Sequence, residues 1–361
     1  MFSLPESADK INDVLISARN EKYALQDKIH WLFNKNDIFS RITACMKAPM
    51  SNVYIGRSEK GITSYGNIMK CSNVWLCPIC SAKINKKRAV EISKAIGHMY
   101  RHEYTVVMVT FTHPHKAGEP LKRLRKVHAE ALRKFKSGRV WKGIKENLRY
   151  LGCINGNEVT YGLNGWHWHS HMLMFIKNDK WLKDHEDVLK ERWIKCIRAA
   201  GLTVKKKSDM MDHGMDFIYD CHATDYIAKL GKNWGIEKEL ICGAGKKERY
   251  GKSPFELADG NQKEKELFIE YAKAVSLEDR ANQIVWSKGI KSLVGVKDKS
   301  DQELNSEKED HEILGYLAPE DWKLILARKA RSKVLEIAER EGFEGVIKWI
   351  EDQYLCNDTV A

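Results

Sequence analysis

The chain has 361 residues and a mass of 41.7 kDa, which suits two domains of average size or one enlarged domain. Its 61 lysines and arginines exceed its 49 aspartates and glutamates, so the net charge is +12. Residues 301–361 hold 8 basic and 15 acidic side chains, a net charge of −7, which leaves +19 on the first 300 residues. A basic body with an acidic end favours a polyanionic partner, most often a nucleic acid.

The composition excludes several classes of protein. Hydrophobic residues make up 43% and charged residues 30%, which is typical of a globular protein with a sizeable core. No apolar run approaches the roughly 18 residues of a membrane span, and the first ten residues lack the apolar stretch of a signal peptide. Nine cysteines, an odd number in a long chain, indicate a reducing compartment and some metal-binding thiols. We therefore expect a cytoplasmic protein without a membrane partner.

The first third of the chain is predicted to be mostly helical up to one buried strand. Hydrophobic periodicity predicts an N-terminal helical segment over residues 1–44. Residues 45–104 form a cysteine-rich segment, turn-rich up to residue 80, followed by a basic amphipathic helix from Ser81 to His98. The run TVVMVTFT, Thr105–Thr112, has the β-branched apolar composition of a buried strand. Residues 120–150 read as a helical stretch with eleven basic and two acidic side chains.

The rest of the chain is predicted to contain a hairpin, short strands and a helical end. Two strand-like runs, residues 150–162 and 165–176, flank a Gly/Asn turn and predict a β-hairpin. A helix is expected around residues 180–200, a short strand at Phe217–Asp220, and a further helix through YIAKL. Residues 236–300 look irregular apart from a strand at Ile284–Ser287, and residues 300–310 read as a polar linker. We expect the catalytic domain to span residues 105–300, and an acidic helical region to occupy 301–361.

Three histidines alternate along the second strand of the predicted hairpin. His167, His169 and His171 project from one face of a strand, because side chains at i, i+2 and i+4 share a face. Neutral imidazole is the commonest metal ligand in proteins. Glu158, on the preceding strand, would supply an oxygen ligand to the same ion. Two imidazoles and a carboxylate leave coordination positions open, which suits Mn²⁺ or Mg²⁺ more than a closed structural Zn²⁺ site.

A tyrosine and a lysine lie on one face of the predicted YIAKL helix. Tyr226 and Lys229 are three residues apart and therefore neighbours on a helix surface. A phenol is a poor nucleophile at its free pKa of about 10, so it needs a nearby cation or metal ion to act. Lys229 would lower that pKa or hold a phosphate.

These features occur in an order that resembles a known family. The VTFT strand (Val109–Thr112), the alternating histidines His169 and His171, and the Tyr226–Lys229 helix resemble the three motifs of HUH endonucleases. The resemblance is closest to the replication initiator proteins of rolling-circle plasmids and spans roughly residues 45–290. It implies an α+β fold, in which a central antiparallel sheet flanked by helices carries the histidines and the tyrosine helix packs across the sheet.

The resemblance also implies an activity in the bacterial cytoplasm. Such an initiator binds the double-strand origin of its plasmid, exposes a single-stranded site and nicks it. Tyr226 would attack the scissile phosphate, giving a 5′-phosphotyrosyl link and a free 3′-OH primer. His169 and His171, with Glu158 or His167 as the third ligand, would hold the catalytic ion. Host helicase and polymerase are further implied partners, and residues 301–361 would either recruit them or cap the core.

One position departs from the pattern of these initiators. Some of them carry a glutamate four residues before the tyrosine, which activates water for the terminating cleavage. His222 stands at that position here, between Asp220 and Asp225, so the termination chemistry is left open. Tyr219 is a second tyrosine within reach of the motif, but no lysine follows it at the matching spacing.

Four cysteines before the buried strand predict a structural zinc site. Cys77 and Cys80 have the C-x₂-C spacing of half a tetrahedral Zn²⁺ site, and Cys71 adds a third thiol. We expect Cys45 as the fourth ligand, with His98 and His102 as alternatives. Similar cysteine-rich segments precede the catalytic motifs of related plasmid initiators.

Basic residues on two predicted helices are expected to bind DNA: Lys86, Lys87, Arg88, Lys122, Arg123, Arg125 and Lys126. Three other functions share some of these features. A single-tyrosine HUH transposase would use the same residues, and so would a conjugative relaxase, although relaxases usually carry their tyrosine before the histidines. A non-catalytic zinc-dependent DNA-binding regulator would account for the cysteines and the charge, but not for the three alternating histidines.

Overall fold

The computed structural model describes residues 8–222, 251–307 and 311–358, so the predicted helix with Tyr226 and Lys229 lies outside the described residues. The chain divides into two compact units. The first combines residues 1–73, 77–80 and 300–361, and the second combines residues 74–76 and 81–299. This division differs from the four segments expected from the sequence, because both ends of the chain share the first unit.

The described elements follow one another along the chain in this order. The first half contains α1 (Ala8–Lys35), β1 (Pro49–Ser58), β2 (Thr63–Ile68), α2 (Pro78–Arg101), β3 (Thr105–Phe111), α3 (Leu121–Phe135), α4 (Gly138–Leu148), β4 (Gly152–Gly162) and β5 (Gly165–Ile176). Next come α5 (Asp179–Asp184), α6 (Glu186–Ala199), α7 (Lys207–His213) and β6 (Met215–Ile218). The last part contains α8 (Pro254–Asp259), α9 (Gln262–Ala272), a π-helical turn (Lys273–Leu277), β7 (Ile284–Trp286), α10 (Ile290–Leu293), α11 (Asp301–Ser306), β8 (His311–Tyr316), α12 (Pro319–Ala327) and α13 (Arg331–Asp358).

A five-stranded antiparallel sheet forms the centre of the second unit. Its strand order is β6-β3-β5-β4-β7. Alternation divides the apolar side chains of β3 and β5 between two faces. One face, with Val109 and Met172, packs against α3, α4 and α6, and the other, with Met108 and Leu173, packs against α2. The predicted α+β fold with helices flanking an antiparallel sheet is confirmed.

The β4–β5 hairpin has the predicted strands and turn. Gly162 pairs with Gly165, and the ladder continues to the pair Gly152 and Phe175. Gly165 has a φ of +82°, and a Cβ built on it would lie 3.0 Å from the Cα of Ala117. Glycine is therefore required there, because it alone combines the left-handed backbone with this close approach.

A smaller sheet forms part of the first unit. Its order is β2-β1-β8, so a strand near the end of the chain pairs with a strand near its beginning. Helices α1 and α13 contribute buried residues to the core of this unit, among them Phe33 and Val334. The sequence pattern predicts turns where β1 and β2 form and a helical region where β8 forms. All three strands were missed, because they are short of apolar residues and their pairing is decided by partners distant in sequence.

Helices also form where the sequence pattern predicts irregular structure or a linker. Residues 236–300 were expected to be irregular and residues 300–310 to be a linker, but α8, α9 and α11 form there. Each begins with a capping box, in which an N-cap side chain and a glutamate three residues later bond each other's backbone N–H groups. The N-cap residues are Ser253, Asn261 and Ser300. Among the described helices, none is both long and apolar enough to cross a membrane.

Candidate active site

Glu158, His169 and His171 lie together on the α2 face of the central sheet. The register of the hairpin pairs Glu158 with His169, and His171 follows on the same face. The Oε2 atom of Glu158 lies 3.1 Å from Nε2 of His169 and 3.2 Å from Nε2 of His171, and all three residues are buried. Ligand bonds of about 2.1 Å at right angles place neighbouring ligand atoms about 3.0 Å apart. The two distances from the Glu158 oxygen therefore match those between neighbouring ligands of an octahedral ion.

The charge state of Glu158 also suits a cation. Burial alone would raise the pKa of its carboxyl, but the imidazoles of His169 and His171 outweigh burial and hold that pKa well below its ordinary value. The carboxylate is therefore ionised at neutral pH. Together with two imidazoles it offers mixed oxygen and nitrogen ligands, which Mn²⁺ accepts and Mg²⁺ accepts less readily.

A hydroxyl on the neighbouring strand contacts His171 at the ring nitrogen that does not face Glu158. Thr110 on β3 pairs with His171 on β5, and its Oγ1 lies 3.0 Å from the Nδ1 atom of that ring. With Nδ1 towards Thr110, the Nε2 atom points to Glu158. The Nδ1 atom of His169, by contrast, is buried and has no hydrogen-bond partner within the described part of the chain.

His167 has a different environment from the other two histidines. It was an alternative third ligand in the sequence analysis, but it is not a member of the group formed by Glu158, His169 and His171. Its ring stacks on His169, with centroids 4.6 Å apart, and on His115, with centroids 4.8 Å apart. The geometry therefore favours Glu158 as the third ligand.

The tyrosines of the motif are only partly described. Tyr226 and Lys229 lie outside the described residues. Tyr219 packs against the core cluster of Val109 and Met172, on the opposite face of the sheet from Glu158. Its hydroxyl donates to Oε1 of Glu186 at 2.6 Å, and burial together with this carboxylate raises the pKa of the phenol. Tyr219 is thus turned away from the candidate metal site and held protonated.

The four predicted cysteines come together in the first unit. Sγ of Cys45 lies 3.7 Å from that of Cys77 and 3.6 Å from that of Cys80, and the Sγ atoms of Cys71 and Cys80 are 3.7 Å apart. A tetrahedron with Zn–S bonds of about 2.3 Å has edges of about 3.8 Å, so the thiols are spaced for zinc. Among the predicted candidates for the fourth ligand, Cys45 joins this group, whereas His98 and His102 stack on each other at the end of α2.

Amide N–H groups surround the sulfur atoms of this cluster. The side chain of Gln26 donates to Cys77, that of Asn305 donates to Cys80, and the backbone N–H of Cys71 donates to Cys45, each at 3.3 Å. Hydrogen bonds from the neighbouring thiols lower the pKa of Cys80, whereas the pKa values of Cys71 and Cys77 are raised by neighbouring thiols and by burial. Such donors stabilise thiolates, which are the form that binds metal.

The predicted DNA-binding residues of α3 are paired with carboxylates. Lys122 lies 2.7 Å from Glu278, Arg123 lies 2.8 Å from Glu119, and both Arg125 and Lys126 pair with Asp279. On α2, Lys86 is exposed, Lys87 is half-buried, and Arg88 pairs with Glu91 at 3.0 Å. Four exposed cations on α4 and at its C-terminal cap make no ion pair within the described residues: Arg139, Lys142, Lys145 and Arg149. The role of the named residues in DNA binding stays a prediction.

Comparisons with known proteins, like the motifs, point to replication proteins. Residues 67–206 match the model of a replication protein family. A Streptomyces lividans protein named protein rep is 30% identical over 155 aligned residues, which cover 36% of this chain and 34% of that protein. A Streptomyces cyanogenus protein named neomycin resistance protein is 28% identical over 153 residues, covering 36% of this chain and 35% of that protein. No solved structure matches.

The matched segment contains most of the candidate site. It includes three of the four clustered cysteines and the complete group of Glu158, His169 and His171. The alignments span about a third of the length of either curated relative. These matches confirm the predicted resemblance to replication proteins.

Proposed function

We propose that this chain, whose residues 67–206 match a replication protein family, is a plasmid replication initiator that nicks one strand of its origin. The observation that carries the proposal is the buried group of Glu158, His169 and His171 within that segment. A carboxylate and two imidazoles with ligand atoms about 3 Å apart suit a divalent ion with open coordination positions. Replication proteins act on DNA, and the basic body of the chain suits that substrate.

The proposed reaction is a transesterification. The hydroxyl oxygen of Tyr226 attacks the scissile phosphorus and loses its proton, the bond from phosphorus to the 3′ oxygen breaks, and that oxygen takes up a proton. The products are a 5′-phosphotyrosyl link and a free 3′-OH that primes synthesis. A bound Mn²⁺ or Mg²⁺ would supply electrostatic stabilisation of the charge that develops on the phosphate. Glu158, His169 and His171 would hold that ion, and Lys229 would lower the pKa of the tyrosine or contact the phosphate.

The cysteine cluster has a separate, structural role in this proposal. Cys45, Cys71, Cys77 and Cys80 would bind Zn²⁺ as a closed tetrahedral site, because all four ligand positions are taken by thiols. Origin DNA in single- and double-stranded form is the proposed partner, with host helicase and polymerase acting on the nicked product.

Incubation with supercoiled plasmid carrying the native origin, in Mn²⁺ or Mg²⁺, tests the activity. We expect nicked DNA and a covalent protein–DNA adduct on a denaturing gel. Tyr226→Phe should bind the origin and form no adduct, whereas Tyr219→Phe, which alters a tyrosine on the other face of the sheet, should form it normally. His169→Ala and His171→Ala should abolish nicking and largely spare DNA binding.

The same experiment separates the alternative functions. A zinc-dependent regulator would bind DNA and make no metal-dependent nick. A transposase would cut the ends of an insertion element rather than a plasmid origin, which mapping of the nick decides. A normal adduct from Tyr226→Phe would overturn the assignment of the nucleophile.

A further inference from the structure

Three imidazole rings stack in series beside the candidate metal site. The rings of His115 and His167 are nearly parallel, with an angle of 11° between their planes, and those of His167 and His169 are inclined by 30°. The last ring of the series is a proposed metal ligand, while the first two are outside the metal-binding group. The proposed chemistry thus leaves His115 and His167 without a role.

His115 and His167 are more exposed than the histidines around them. His115 and His167 are both half-buried, whereas the nearby His113 and His128 are enclosed in the interior. Neither His115 nor His167 makes an ion pair with a carboxylate in the described part of the chain. Within the described residues, His167 lies between the rings of His169 and His115, so a further ring would have to stack on the other face of His115.

The backbone holds the pair in place. His167 lies two residues after Gly165, on the paired strand β5. The segment with His115 runs directly over Gly165, where a Cβ would lie 3.1 Å from the carbonyl oxygen of Lys116. The Nδ1 atom of His115 lies 3.3 Å from the carbonyl oxygen of His113, which orients the ring. A preorganised ring loses little entropy when a ligand stacks on it.

We propose that the His115 ring, backed by the stacked ring of His167, offers its other face to a nucleobase of single-stranded DNA, next to the phosphate that is cut. This inference rests on the proposed function, because the metal site gives the position of the phosphate. Unpaired bases stack on aromatic side chains, including histidine, whatever their sequence. The stack continues from His169 through His167 to His115 in centroid steps of 4.6 and 4.8 Å, so the His115 ring is two stacked rings away from the proposed ligand His169.

The test compares two strands that carry the same number of phosphates. The probes are a fluorescent 12-residue oligodeoxythymidine and a 12-residue strand of abasic nucleotides, and the readout is the ratio of their dissociation constants for the full chain. A stacked base contributes about 1–3 kcal/mol, so His115→Ala should weaken binding of the oligodeoxythymidine about 5- to 150-fold. Binding of the abasic strand should stay unchanged, and His115→Phe should keep the wild-type ratio.

A matched control comes from another histidine pair. His98 and His102 also stack, with centroids 4.1 Å apart, at the end of α2 and away from the metal-binding group. His102→Ala should leave both dissociation constants unchanged. Equal melting temperatures of the variants would show that each is folded.

Three results would overturn the inference. They are an unchanged ratio in His115→Ala, an equal loss of affinity for both strands, and a loss in His115→Phe as large as in His115→Ala. Failure of the proposed function is seen separately, as the absence of a metal-dependent nick by a wild-type protein that still prefers the strand with bases.

Discussion

At the scale of single residues, the hydroxyl of Thr110 contacts a proposed metal ligand without being a ligand itself. The Oγ1 atom of Thr110 lies 3.0 Å from Nδ1 of His171, and by accepting the proton of Nδ1 it would leave the lone pair of Nε2 to a metal ion. Partners of this kind fix the tautomer and orientation of a metal-binding histidine, and their loss typically lowers metal affinity 10–100-fold. Thr110 is therefore a positioning residue of the proposed metal site.

Thr110→Val removes this hydroxyl and keeps the shape of the side chain. We expect the affinity for Mn²⁺ to fall roughly 10–100-fold, measured by calorimetry on protein that retains its zinc. Thr110→Ser should restore most of the affinity. Thr112→Val is the control, because the hydroxyl of Thr112 donates to the carbonyl of His213 instead. Wild-type Mn²⁺ affinity in Thr110→Val would contradict the positioning role.

The sequence predicted part of this residue arrangement. The spacing of His169 and His171 is enough to place both on one face of a strand, whatever the fold. The contact between Thr110 and His171 joins residues 61 positions apart and depends on the register between β3 and β5. No local pattern encodes that register, so the VTFT run could be recognised only as a strand.

At the scale of elements, two helices from distant parts of the chain complete the cysteine cluster. Helix α11 presents Asn305, whose amide donates to Cys80 at 3.3 Å and to Ser72 at 3.0 Å. Helix α1 presents Gln26, which donates to Cys77 and accepts a hydrogen bond from the buried Arg331. The thiols are thus held between elements from both ends of the chain.

Asn305→Leu removes the donor of α11 while keeping a similar volume. We expect zinc to be released at least about 10-fold more readily to a competing chelator, because a buried thiolate loses a hydrogen-bond donor. Ser306→Ala, on the same helix but exposed, should behave like the wild type. An unchanged zinc affinity in Asn305→Leu would show that α11 does not support the cluster.

Elements were predictable where their own sequence carried the signal. The β4–β5 hairpin was predicted because an alternating pattern and a Gly/Asn turn are local features. The strand β8 was missed, because Ile313 and Tyr316 are exposed and its pairing with β1 joins residues more than 250 positions apart. The capping boxes of α8, α9 and α11 are local signals that the sequence analysis overlooked.

At the scale of the whole molecule, the two ends of the chain form one unit around the cysteines. Residues 301–361, which have a net charge of −7, belong to the same unit as α1 and the cysteine cluster. A structural zinc site contributes its binding free energy to folding, because the unfolded chain has no preformed site. We therefore expect the order of both chain ends to depend on zinc.

Cys45→Ser tests this dependence by removing one zinc ligand. Hydrogen exchange should show loss of protection in both α1 and α13, while β3, β4 and β5 of the second unit keep theirs, because their core lies elsewhere. A chelator should reproduce the effect on wild-type protein. Cys356→Ser, which changes an exposed cysteine, should have none. Full protection of α13 in Cys45→Ser would contradict the prediction.

Local sequence patterns were enough to predict the candidate metal ligands and most strands of the central sheet. Alternation placed the histidines on one face, the C-x₂-C spacing predicted half of a zinc site, and the charge predicted a polyanionic partner. Tertiary structure decided which residues meet. It brought Glu158 rather than His167 to His169 and His171, and it joined the two chain ends around the thiols. The reason is physical, because local patterns set which face a side chain takes, whereas strand register and packing between distant segments set its neighbours.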